Sequence, residues 1–98
     1  MKPRHAAALA LVIVAGGLLA LNGERYLRQA TVSPSDARAL ALKAFPGKIV
    51  SEELEREAGG SGLRYSFVIR QGKTKHEVGI DAKTGKVLEN SIEGENPD

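Results

Sequence analysis

The chain has 98 residues, enough for one small domain and a leader. It contains no Cys and no Trp, which excludes a disulfide framework, a thiol nucleophile and a lipid-attachment cysteine, and leaves little aromatic surface for stacking nucleic-acid bases. The net charge of +2 is unevenly spread: residues 1–29 carry four Lys/Arg and one acid, residues 30–98 carry ten Lys/Arg and eleven acids, so the globular part has no nucleic-acid footprint.

Lys2 and Arg4 precede an uncharged apolar run from Ala6 to Leu21. A basic flank followed by an apolar core is the pattern of an export signal. As a helix this run would be about 24 Å long, slightly short of a ~30 Å hydrocarbon core. His5 and Asn22 at the interfaces, or local thinning of the bilayer, would let it span. A cleavable signal needs small residues at two positions before the cut, and neither Ala20-Leu21-Asn22 nor Leu18-Leu19-Ala20 supplies both. The sequence therefore favours an N-terminal apolar helix that stays as a single transmembrane anchor, over a cleaved signal peptide. The very short N-terminus favours N-in, with the domain outside the cytoplasm, periplasmic or extracellular; secretion after cleavage is the alternative. Residues 1–29 are read as this signal or anchor with its stalk, and Asn22–Val32 as a linker or a continuation of the helix.

Residues 30–92 form the folded domain in this reading. Ser33-Pro34-Ser35-Asp36 announces a helix, with Ser33 as N-cap, Pro34 at the first position and Asp36 on the helix dipole. Ala37, Leu40, Ala41, Ala44 and Phe45 follow helical spacing as one apolar stripe. Pro46-Gly47 ends it. Lys48–Glu57 is read as the first strand, although Ser51–Ala58 has the propensity of a helix. Gly59-Gly60-Ser61-Gly62 is a loop. Leu63–Arg70 alternates most cleanly as a strand, and Thr74–Ile80 is the next one after a turn at Gln71-Gly72. Asp81–Gly85 is a tight turn in which Gly85 needs a positive φ, and Lys86–Asn90 is the last strand. Residues 93–98 make an acidic flexible tail.

The economical fold is α+β: one amphipathic helix packed on a three- to four-stranded antiparallel sheet, in the order helix–strand–strand–strand–strand. Its expected core is Leu40, Ala41, Ala44, Phe45, Val50, Leu54, Tyr65, Phe67, Ile69, Val78, Ile80, Val87 and Leu88. A domain of this size buries only about 60% of its unfolded surface, so pairing of a sheet edge with a second copy or with a partner would stabilise it.

No catalytic, cofactor-binding or metal-ligating set emerges. His76 is the only imidazole of the domain, and its neighbour Glu77 points to the other face of a strand, so His76 reads as a packing or rim residue. Glu52, Glu53, Glu55 and Glu57 read as a solvated acidic strand face before they read as a cation site. Asp81–Gly85 lacks the repeated acids of a calcium loop, and Gly59–Gly62 lacks the Lys-Ser/Thr of a phosphate loop. Arg70, Lys73, Lys75, Lys83 and Lys86 form a basic cluster around the hairpins, expected to pair across strands with glutamates.

The helix Asp36-Ala37-Arg38-Ala39-Leu40-Ala41-Leu42 with Phe45-Pro46-Gly47, the strand Leu63–Ile69 and the stretch Glu77-Val78-Gly79-Ile80-Asp81-Ala82-Lys83-Thr84-Gly85-Lys86-Val87-Leu88 together resemble a PepSY domain. The last stretch is similar to that family's V-D-A-x-T-G-x-V signature, with Ile80 at the first position and His76 where an aromatic residue is common. The resemblance covers roughly Ser35–Asn90. It implies a non-catalytic, extracytoplasmic binding module of bacterial type, a peptidase inhibitor or regulator, with a peptidase or membrane protein as partner. A structural or sensory accessory subunit of a membrane complex is the alternative.

Overall fold

The computed structural model describes residues 11–12 and 21–93. In chain order these form β1 (Leu11–Val12), α1 (Leu21–Gln29), α2 (Pro34–Ala44), β2 (Lys48–Arg56), β3 (Leu63–Gln71), β4 (Thr74–Asp81) and β5 (Val87–Ile92). The strands make one antiparallel sheet in the order β1-β2-β3-β4-β5, so sequence neighbours are also neighbours in space. A helix followed by four antiparallel strands is the expected α+β arrangement. The expected N-terminal apolar helix is not found at Leu11–Val12. These two residues pair with Leu54 and Glu53, taking up backbone groups that the rim of β2 would otherwise leave open. Residues 6–10 and 13–20 of the apolar run lie outside the described residues. Among the described residues, no helix is long and apolar enough to cross a membrane.

Helix α2 starts as its sequence dictates. Ser33 Oγ accepts from the Asp36 N–H at 3.0 Å, and Pro34 occupies the first turn. Ala37 and Ala41 are fully buried. Their small side chains let the helix lie close to the sheet, with Leu40, Ala44 and Phe45 flanking them. The helix ends at Phe45, whose backbone is extended while its N–H still donates to Ala41 O.

Below α2 lie Leu54 of β2, Leu63, Tyr65, Phe67 and Ile69 of β3, and Val78 and Ile80 of β4, all buried. Pairing with β3 along almost its whole length holds β2 extended, although Ser51–Ala58 has the propensity of a helix. Two expected core residues are exposed instead. Val50 is the extra residue where the β2–β3 register shifts between Ile49 and Ser51, and that bulge turns it outward. Val87 lies on the rim strand, where among the described residues no further strand covers it.

The segment before α2 is not a free stalk. Tyr26 of α1 is buried in the core, although it sits in a stretch otherwise rich in charge. Arg56, the last residue of β2, lies 5.6 Å over its ring and donates to Gln29 Oε1. The N–H groups of Thr31 and Val32 both reach Ala82 O at 2.9 Å. At the other end of the chain, β5 runs to Ile92, two residues beyond the expected end at Asn90. Residues 94–98 of the expected tail lie outside the described residues.

Candidate functional site

The Asp81–Gly85 turn is a closed structural corner. Asp81 ends β4 and is 1% exposed. Its carboxylate accepts from Ser61 N at 2.7 Å, Ser61 Oγ at 2.8 Å, Lys83 N at 2.8 Å and Thr84 N at 3.2 Å. Burial pushes this carboxyl up, but the donors of Ser61, Lys83 and Thr84 outweigh it and hold it down to about 2. Gly85 takes φ +81° and donates to Asp81 O at 2.9 Å, which closes the turn. Four hydrogen bonds on one buried carboxylate hold the loop in place.

His76 packs at the end of α2. Its ring stacks on Phe45 with centroids 3.8 Å apart and planes 4° from parallel. Its Nδ1 lies 2.7 Å from Asn90 Oδ1, so its partner is an amide that cannot accept a proton. His76 is the rim packing residue that its position suggests. Tyr65 Oη donates to Val32 O at 2.7 Å, and burial pushes the phenol up to about 12 against a smaller opposing pull from Arg38.

The acidic strand departs from expectation. Glu52 and Glu55 are both buried and point to opposite faces of the sheet. Glu52 faces α2, where Arg38 Nε reaches Oε1 at 2.5 Å and Nη2 reaches Oε2 at 3.3 Å. Glu55 lies on the face away from α2 and accepts from Ser66 Oγ at 2.8 Å. Desolvated carboxylates need such partners, which is why the acids of β2 are not a uniformly solvated face. On the same far face, Arg64 is buried with Nη1 3.3 Å from Glu89 Oε1 and Nη2 3.3 Å from Ala58 O. Gly79 makes room for it, since a Cβ there would come within 2.9 Å of Nη1. Farther along this face Ser51, Glu53, Ser66, Val68, Glu77 and Glu93 line an acidic hollow of about 420 Å³. Among the described residues, no three His, Cys, Asp or Glu side chains gather closely enough to hold a metal ion.

The expected basic cluster is split. Arg70, Lys73 and Lys75 lie at the β3–β4 turn, whereas Lys83 and Lys86 lie at the opposite end of β4. Arg70 pairs across strands with Lys48 and Lys75, not with glutamates. Like charges face one another there because all three side chains are exposed and water screens them.

The surface best suited to a protein partner is the rim of β5. Among the described residues it is paired on one side only. It also carries two of the exposed large apolar side chains, Val87 at 49% and Ile92 at 55%. A strand edge of this kind offers main-chain donors and acceptors to an added strand, and apolar side chains to anchor it. The sequence hints at it only through Val87, which reads as a core residue, and Ile92, which lies beyond the expected end of the strand at Asn90.

Residues 31–90 match the profile of the PepSY family, described as "Peptidase propeptide and YPEB domain". No curated protein and no solved structure shows significant similarity to the chain.

Proposed function

This chain belongs to the PepSY family, and from that premise we propose that it is a non-catalytic binding module that restrains a peptidase outside the cytoplasm. The carrying observation is the family match itself, which spans α2 and the four long strands of a family described by peptidase propeptides. PepSY domains are typically extracytoplasmic, and the basic flank and apolar run ahead of the domain agree with export. In this reading the domain faces outward. An extended segment of the peptidase joins the rim of β5, with Val87 and Ile92 against its apolar side chains. The titratable groups support a binding role over a catalytic one: His76 is held by Phe45 and Asn90, and Asp81 by four donors.

The test is a rate measurement. The full chain, in detergent, is added to a panel of peptidases exported by the same cell. Slowed hydrolysis by at least one of them, relieved by Ile92→Lys, is the expected result. No binding and no rate change across the panel would overturn the reading.

A further inference from the structure

The outward groups of β5 are set by its ladder with β4. Glu93 N donates to Lys75 O at 2.8 Å, so Glu93 faces β4. Backbone direction alternates along a strand, so Ser91 and Glu89 also face β4 while Ile92 and Asn90 face away from it. The β4–β5 register shifts between Gly79 and Ile80: Glu89 lies opposite Gly79 and Val87 opposite Ile80, with Leu88 as the extra residue. Val87 and Ile92 are an odd number of positions apart and would lie on opposite faces of a regular strand. The bulge brings them to one face, the face that Asn90 shares.

We propose that a second copy of this chain pairs antiparallel along β5, about a two-fold axis through Asn90. In that register Ile92 lies beside the partner's Val87, Ser91 beside the partner's Glu89, and Glu93 beside the partner's Lys86. The two exposed apolar side chains of β5 cover each other, and the charges at the ends of the strand are opposite in sign. Asn90 meets the partner's Asn90 with its outward N–H and C=O, as a two-fold pair requires. Sliding the pair one step either way opposes like charges. One direction sets Glu89 against the partner's Glu89, and the other sets Glu93 against the partner's Glu89. The sequence of β5 therefore selects one register, and the bulge makes that register consistent with the pleat. The sheet continues across the axis with both α2 helices on one side. The pairing rests on β5 alone; it takes the edge that the proposed function gives to a peptidase segment, so a second copy and a peptidase compete for that edge.

Because the chain has no Cys, single cysteines report the axis directly. The full chain bearing Asn90→Cys should form a disulfide-linked dimer under mild oxidation, since directly opposed hydrogen-bonded residues have Cα atoms about 5.5 Å apart, within disulfide reach. Chains with Ile92→Cys or Val87→Cys should not cross-link alone, but an equal mixture of the two should. In sedimentation of the cysteine-free chain, Lys86→Glu should weaken the dimer roughly tenfold by placing like charges at both ends of the interface. Adding Glu93→Lys should restore it. Monomer at every concentration, equal cross-linking of the three single-cysteine chains, or no restoration by the second charge reversal would each overturn the pairing. No peptidase is present in these measurements, so their failure leaves the peptidase reading standing, and the reverse also holds.

Discussion

The Asp81 corner and the β5 rim are joined by a single turn and are built on opposite terms. At the corner, four donors converge on one buried carboxylate, and the backbone of Thr31, Val32 and Leu63 is tied to Ala82. Along the rim, alternate backbone groups point away from the sheet beside exposed Val87 and Ile92. A small domain has little apolar surface to spare. Concentrating its polar satisfaction at one corner lets it leave an edge open without unfolding. The corner therefore carries stability, and the rim is where the proposed partner would bind.

The largest way to break that contrast is Asp81→Ala. It leaves the N–H groups of Ser61, Lys83 and Thr84 without their acceptor in a part-buried site, and urea unfolding should show a loss of about 3 kcal/mol. Gly85→Val comes next, at about 2 kcal/mol. A β-branched residue resists φ +81°, and its Cβ would stand 3.3 Å from Leu40 Cδ1.

The pH profile sharpens the same point. Asp81 titrates at about 2 when folded, below its ordinary 3.8, so its contribution is complete above about 3.8 and is lost as pH falls through about 2. Tyr65 titrates at about 12, above its ordinary 10.0, so its contribution is complete below about 10 and is lost as pH rises through about 12. Thermal melts across both limbs should show both losses, and Asp81→Ala should remove its share of the acid one. The smallest effect belongs to the rim. Ile92→Thr should move stability by less than about 0.5 kcal/mol while abolishing peptidase restraint and self-pairing. A large loss of stability in that variant would mean that the rim is part of the core.

Much of this was legible in the residues themselves. Ser33 and Pro34 mark the start of α2, the alternation of Leu63–Ile69 marks the central strand, and Asp81 with Gly85 marks the turn. What escaped was the second face of the sheet. Arg64, Ser66 and Glu55 are polar, so alternation assigns them to water. They are buried because Ser66 bonds Glu55, and because Gly79 leaves a trough for the Arg64 guanidinium. Val50 escaped because a bulge changes which face a residue takes, and no local pattern announces one. The rim of β5 escaped for a related reason. Val87 looks like a core residue until the strand order shows that, among the described residues, no strand lies beyond it.

Tyr26 lies upstream of the matched region, yet its ring is set into the core beside Arg56. Mechanically it is a toggle pin. A pull carried by α1 loads that ring and, through Arg56 and Gln29, the end of β2. That load enters the sheet at β2, three strands from the β5 rim, so the fastening of α1 and the open edge sit on opposite sides of the core.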